Sequence, residues 1–305
     1  MAKKVDKIGL WATHPSQALR VGADFSIAAV DAAATPGFTG SEKSAVKRLA
    51  AVGEEMSELQ ERLFAEAKGG GKRSVLLVLQ GMDTSGKGGI VRHVVGMVDP
   101  QGVQHRSFGV PTEEERSHHY LWRIRNALPV PGKIGVFDRS HYEDVLVVKV
   151  HKLVPGEPWE ERYAEINAFE KEVREAGTVI VKCAMLVSPA EQLNRLDERL
   201  ARADKHWKFN PGDLDEREHW DAYMAAYEAA LRATSTELAP WHVIPADNKW
   251  FARLAVSELL LGALESLDLG WPAADFDVAA EQARLAAART AQARGIPTVT
   301  LDGSR

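Results

Sequence analysis

The sequence predicts an α/β protein of three layers, with helices on both faces of a parallel sheet of about five strands. Two observations carry this. Short, nearly unbroken apolar runs (Val75 to Leu79, Ile134 to Phe137, Thr178 to Val187 and Trp241 to Pro245) have strand length and lack the alternation of a half-exposed strand, as expected where both faces are covered. Between them lie longer segments whose apolar residues recur at three- and four-residue steps, the helical period. No internal repeat or long linker divides the chain.

Taken in order, residues 1–40 contain Pro15, Pro36 and Gly37 and no sustained period, so they read as an extended arm lying on the domain. Ser41-Glu42-Lys43 starts a helix in which Ala45, Leu49, Val52, Met56, Leu59 and Leu63 share a face, and Gly69-Gly70-Gly71 stops it. The strand Val75 to Leu79 then runs into GMDTSGKGG, and Ile90 to Val98 is helical in spacing. Gly81, four residues, Gly86 and Lys87 is the spacing of a phosphate-cradling loop, and strand, loop, helix is the context that supports it.

The physical reason is that glycines let backbone N–H groups turn inward as an anion nest ahead of a helix N-terminus. Gly81, Met82, Thr84, Ser85, Gly86, Gly88 and Gly89 are the candidate phosphate-binding residues, and Lys87 adds a point charge for the outer phosphates. The plainer alternative is a glycine-rich turn that only joins strand to helix. Gly88 stands where such loops usually place a Ser or Thr on magnesium, so a metal must be held another way. Asp83, a carboxylate inside a phosphate loop, is read as a metal ligand.

Val103 to Val110 is a second strand, after which Thr112 and Glu115 form a capping box for a helix running to about Leu128. Ile134 to Phe137 ends in Asp138-Arg139-Ser140-His141-Tyr142-Glu143-Asp144. Asp138 stands where a P-loop fold places its second magnesium ligand, at the carboxyl end of a buried strand. Glu143 and Asp144 are further candidates for the nucleotide site, or simply acidic residues at a helix start. Trp159 to Ala176 is an amphipathic helix. After the strand Thr178 to Val187, Ser188-Pro189-Ala190-Glu191 reads as a capping box with proline at the first helical position.

On the helix that follows, Arg195, Arg199 and Arg202 share a face, and Lys205 and Lys208 come directly after. This is either a solvated face paired with Asp197, Glu198 and Asp204, or a lid over transferred phosphate. Asn210 to Asp213 is a turn. Glu216 to Thr234 is a helix with Trp220, Tyr223, Tyr227 and Leu231 as core, Trp241 to Pro245 a last strand, and Trp250 to Leu267 a closing helix. The Ala-rich segment beyond Pro272 reads as a surface or partner-binding helix to Arg294, with VTLDGSR loose.

Net charge is −5, so a polyanionic ligand must be drawn by a local cationic cluster, not by the whole field. The single Cys183 excludes an internal disulfide and reads as a small core residue of a reducing compartment. No stretch has membrane-spanning length, the N-terminus lacks the apolar segment of a secretory signal, and no RNA-reading aromatic signature is present. A cytoplasmic protein without nucleic-acid or membrane partners is expected, and as an assembly a homo-oligomer, dimer or tetramer.

GMDTSGKGG, PQGVQHRSFGVPTEEE, LWRIRNALPVPGKIGVFDRSHYEDVL, RLDERLARADKHWKFNPGDL and APWHVIPADNKW, in this order, resemble the polyphosphate kinase 2 family from about Asp31 to Leu267. The resemblance implies a P-loop kinase-like fold with a helical lid and an N-terminal helical extension. It implies transfer of the terminal phosphoryl group of inorganic polyphosphate to a nucleotide, with Mg2+ or Mn2+ as cofactor. Lys87 and its loop would bind phosphate, Asp83 and Asp138 would organise the metal, and Arg139 would contact the transferring phosphates. Arg195, Arg199, Arg202, Lys205 and Lys208 would belong to the lid and donor channel. HYEDVL is similar to the subgroup that accepts nucleoside mono- and diphosphates, whereas Asp138, where that subgroup often has Asn, is more typical of the diphosphate-specific one. ADP to ATP is therefore the first expected transfer and AMP to ADP the second.

The expected domain plan is an arm and helix over 1–72, a phosphotransferase domain over 73–270 with a lid at about 188–215, and a tail over 271–305. An ionised phosphate acceptor needs no strong general base, so His93, His118, His119 and His141 are expected to be structural. The rival readings are an ATP-dependent kinase of a small metabolite and a non-catalytic polyanion binder.

Overall fold

The computed structural model describes residues 9–153 and 159–294. The chain divides into two units, 1–270 and 271–305. In the first, helix α1 (Glu42–Lys68) precedes strand β1 (Ser74–Gln80), which leads into α2 (Lys87–His93). Strands β2 (Val103–Ser107) and β3 (Ile134–Asp138) are followed by α3 (Trp159–Glu175), β4 (Thr178–Leu186), α4 (Pro189–Ala201), α5 (Trp220–Thr234), β5 (Trp241–Pro245) and α6 (Lys249–Glu265). The second unit carries α7 (Val278–Ala293), whose first amides, of Ala279 and Ala280, donate to Asp277 Oδ1 at 2.9 and 3.1 Å. The terminal VTLDGSR lies outside the described residues.

All five strands are parallel, in the order β2-β3-β1-β4-β5. A central strand must satisfy a core on each side, and successive side chains alternate across the sheet. Val75, Leu77 and Leu79 therefore enter one core with Met56 and Leu63 of α1 and Leu260 and Leu264 of α6. Leu76 and Val78 enter the other with Ile166 and Phe169 of α3 and Leu231 of α5. This division explains the uninterrupted apolar run of β1 and makes the three layers; Cys183 on β4 is one of the buried core residues.

Parallel strands bring their carboxyl ends to one edge, where ligands of open α/β sheets bind. Register sets what meets there: Leu79 of β1 lies beside Asp138 of β3, and Gln80 beside Ala184 of β4. The N-terminal arm covers the other side of β5. Val243 N donates to Leu19 O and Val21 N to Trp241 O, so the arm closes an edge that would otherwise expose unpaired backbone groups.

The strand expected over Val103 to Val110 ends at Ser107, and the helix expected from Glu216 is a 3-10 turn as far as His219. Three further expected elements differ in the structure. The helix expected from Thr112 to about Leu128 is two short ones, Glu113–Arg116 and Leu121–Arg125. The capping box of Thr112 and Glu115 forms, but Ser117 Oγ then bonds Glu114 O at 2.8 Å, and the His119 ring accepts from Leu121 N. Such local side-chain bonds compete with helix continuation. The second is the loop-following helix, which is α-helical only from Lys87 to His93, with a 3-10 turn over Val95–Met97. The third is the capping box at Ser188, which is half made. Ser188 Oγ accepts from Glu191 N, while Asp247 takes the Ser188 amide and Glu191 turns to Arg195.

Candidate active site

The loop between β1 and α2 is held in a conformation that few residue types allow. Gly86 has φ 110° and Thr84 φ 61°, and a Cβ on Gly81 would lie 2.6 Å from Met185 O and from Ser85 Oγ. A left-handed Thr costs about 1 kcal/mol or more, so the surroundings must over-determine it. They do so from α4. Gln192 Nε2 donates to Asp83 O at 3.0 Å, and Arg195 Nη1 to Thr84 O at 2.9 Å. Arg195 also reaches Ala246 O and Asp247 O, and it pairs with Glu191 at 2.8 Å.

Two features leave the loop prepared for a polar guest. Among the described residues the buried Thr84 and Ser85 hydroxyls find no hydrogen-bond partner, which is rare enough to require explanation. Gly88 and Gly89 have open space where a Cβ would stand, so packing within the protein does not require glycine there. Lys87 is buried, and its Nζ donates to Gly81 O at 2.6 Å and Met82 O at 3.2 Å. Burial first, then Arg139, pulls its pKa below the ordinary value, against Asp83, Asp138 and Glu143.

From β3, Arg139 has φ 64° and donates to Asp83 Oδ1 at 2.5 Å. Beyond it, Ser140 caps the 3-10 turn His141–Asp144. Glu143 and Asp144 thus stand in this turn and not at the start of an α-helix. Glu143 accepts from Gln80 Nε2, and burial pushes its carboxyl above the usual range against the pull of Arg139. Burial does the same to Asp144, which faces Arg123 at 3.7 Å and Arg162 at 3.8 Å.

The turn is anchored from beneath by a buried polar cluster. Lys182 Nζ of β4 donates to Glu170 Oε2 of α3 at 2.5 Å, to Thr234 O at 2.7 Å and to the Tyr142 hydroxyl at 2.9 Å. The Tyr142 hydroxyl in turn donates to Glu170 Oε1 at 2.7 Å, with His141 3.4 Å from the same oxygen. His141 is 1% exposed and is enclosed in this cluster.

Two clefts meet at the loop, and among the described residues they share only Asp83 and Arg139. One, of about 540 Å³, is walled by the loop, Lys87 and Asp138, by Arg195, Arg199, Lys205 and Lys208, and by Lys249 and Arg253. Its charge is strongly positive. The other, of about 400 Å³, has aromatic and acidic walls: Phe108, Tyr223 and Tyr227 with Glu143, Asp144 and Asp213, and with Arg123. Tyr223 and Tyr227, expected as core, are buried in it and also line this cleft.

The lid residues have unequal placements. Arg195 lines the cationic cleft, but its guanidinium braces the loop. Arg199 closes the segment after α4 on itself, donating to Lys208 O at 3.0 Å and pairing with Asp213 at 3.2 Å. Lys208 lies over the Trp207 ring. Arg202 is absent from the residues lining either cleft and pairs with Asp204 and Glu198.

Among the described residues no three His, Cys, Asp or Glu side chains converge on a point. A magnesium ion in a phosphate site takes one or two carboxylates and completes its shell with substrate oxygens and water. Asp83 and Asp138 both line the cationic cleft beside the loop, and the chemistry of two carboxylates fits such an ion.

Residues 40–269 match the family model described as polyphosphate kinase 2. The chain belongs to the polyphosphate kinase 2 family. It is 46% identical over 248 residues, 81% of this chain and 91% of the relative, to an AMP/ADP-polyphosphate phosphotransferase of Meiothermus ruber. It is 43% identical to an ADP-polyphosphate phosphotransferase of Rhodopseudomonas palustris, over 72% of this chain and 78% of the relative. The crystal structure of polyphosphate kinase 2 from Arthrobacter aurescens TC1 matches with a TM-score of 0.88 at 54% identity, covering 91% of this chain and 98% of that one. Among the described residues no helix is long and apolar enough to cross a membrane.

Sequence reading passed over several residues that this family member brings to its loop or its clefts. Gln192 is three residues before Arg195 on the same helical face, so extending the arginine row backwards finds it. Lys249 and Arg253 are an i, i+4 cationic pair on a largely apolar helix, a signal of the same kind. Arg123 had no local signal. It is 7% exposed, donates to Gly109 O at 3.0 Å and faces Glu115 and Asp144, all brought to it by tertiary packing.

Proposed function

We infer that this chain moves phosphoryl groups from inorganic polyphosphate to nucleotides, and that its two clefts are the donor and acceptor halves of one site. One observation carries the division: among the described residues, a cationic cleft and an aromatic, acidic cleft share only Asp83 and Arg139. A chain of phosphates requires many cations along its path. A nucleoside requires aromatic and apolar walls with a few polar groups. Their common boundary is where a phosphoryl group would pass. The names of the two relatives support ADP and AMP as acceptors.

In the reaction an ionised oxygen of the acceptor's terminal phosphate attacks the last phosphorus of the chain. The bond from that phosphorus to its bridging oxygen breaks, and the shortened polyphosphate leaves with the electron pair. No proton needs to be removed from the acceptor, so alignment and charge neutralisation do the work. Lys87 and Arg139 supply fixed positive charge at the boundary, and the loop amides and the Thr84 and Ser85 hydroxyls supply donors. Asp83 and Asp138 would hold Mg2+, which when bound neutralises phosphate charge. None of the histidines is needed as a base; His141 is locked against Glu170 and His118 is stacked on Trp122.

The deciding assay offers purified protein polyphosphate or ATP as donor, with magnesium and with ADP, AMP or GDP as acceptor, and separates the nucleotides. ATP from ADP and ADP from AMP, dependent on polyphosphate, are the expected products. Polyphosphate binding without turnover would reduce the chain to a polyanion binder, and consumption of ATP with a metabolite would make it an ordinary kinase.

Lys87→Ala should lower turnover by about a hundredfold, roughly 2.7 kcal/mol, while nucleotide affinity falls far less. In the present structure Nζ is held by two loop carbonyls, and its charge acts fully only as negative charge shifts between phosphates. Equal losses in Kd and kcat would make it an anchor for the ground state.

A further inference from the structure

We propose that Arg92, His93 and Arg253 form a phosphate-binding corner, separate from the loop and the lid, that holds a phosphate of the donor chain other than the one transferred. The proposal rests on the reading of the cationic cleft as the donor half.

Arg92 and His93 are the last two residues of α2, and Arg253 lies one turn into α6, which packs against α2. All three line the cationic cleft. Most cations of that cleft already have a carboxylate: Arg139 has Asp83, Arg195 has Glu191, Arg199 has Asp213, Lys205 has Asp204 and Lys249 has Glu198. Among the described residues neither Arg92 nor Arg253 is in an ion pair. Arg253 is half-buried, and burial alone pulls its pKa down. His93 is pulled below its ordinary value by burial and then by Arg253 and Arg92, so each arginine stands close enough to the ring to disfavour its charge.

A plainer explanation exists for part of this. Cations in the last turn of a helix interact favourably with its dipole, which accounts for Arg92 and His93 on α2. It does not account for Arg253, near the opposite end of a different helix. Like charges gathered without a counter-ion, one of them partly withdrawn from water, are costly unless an anion completes the group. Polyphosphate is the polyanion that the adjoining loop and lid already fit.

The consequence is a dependence on donor length that the lid does not explain. Arg92→Gln with Arg253→Gln should raise the KM for long-chain polyphosphate about tenfold, equivalent to about 1.4 kcal/mol. The KM for the shortest polyphosphate the wild type accepts should rise far less. In the wild type, long-chain polyphosphate should also move the NMR titration of the His93 ring to higher pH, a readout independent of turnover.

Equal KM changes for short and long donors, or none for either, would overturn the corner, as would a His93 titration indifferent to polyphosphate. A wild type that transfers nothing from any polyphosphate would instead sink the donor-cleft reading and this one with it. The two failures are therefore distinguishable. Thermal melts of the variants check that folding is intact.

Discussion

Asp83→Asn is expected to leave a folded protein whose turnover falls on the order of a thousandfold, about 4 kcal/mol of transition-state stabilisation. Asp83 lies in both clefts, at the boundary across which a phosphoryl group would pass. In the structure its carboxylate is held by Arg139, and under the proposed function it would join Asp138 in holding a magnesium ion that shares its shell with phosphate oxygens. Asparagine keeps the shape and removes the charge, so it weakens both the hold on Arg139 and the attraction for a divalent ion. The side chain is 28% exposed, so stability should change little. The measurement is kcat against magnesium concentration in wild type and variant, with a thermal melt as the folding control. Turnover like that of the wild type at ordinary magnesium would remove Asp83 from this role.

The largest expected loss of stability is at Lys182. Lys182→Met should destabilise the fold by about 3–5 kcal/mol, because it leaves the Glu170 carboxylate buried and uncompensated. Lys182 is 0% and Glu170 2% exposed. Burial pushes the Glu170 carboxyl up, yet Lys182 and His141 outweigh it and hold it below its ordinary value. The pair itself need not be a net gain, since desolvation of two ions offsets most of their attraction. The double variant Lys182→Met with Glu170→Leu should therefore recover much of the loss in urea unfolding. If the single variant melts like the wild type, or if the double variant is as unstable as the two losses added, the ion pair is not what holds Tyr142 and its turn in place.

Much of the site was legible without the structure because its parts are local. A phosphate loop is a run of adjacent residues between a strand and a helix, and GMDTSGKGG contains the glycines, the lysine and the unusual Asp83 in one stretch. Asp138 was legible for the same reason, as a carboxylate ending an apolar run, and so was the cationic row on α4. The strands could be counted because burial on both faces writes a continuous apolar pattern.

What only the tertiary structure decided are pairings across long separations, which residue type and period do not encode. The order β2-β3-β1-β4-β5 sets Asp138 beside Leu79, and the Asp83–Arg139 contact joins residues 56 apart in sequence. Spacing put Arg195, Arg199 and Arg202 on one face. Packing gave them different tasks: a brace for the loop, a clasp to Asp213 and a surface pair. Lys182 lies inside an apolar strand run, and a strand's pattern shows that a residue is buried and not what it meets there. Glu170, Tyr142 and the Thr234 carbonyl surround it because three separate elements converge on one point of the sheet. Local free energies select the elements, whereas the position of a charge is settled by which distant partner can compensate its desolvation.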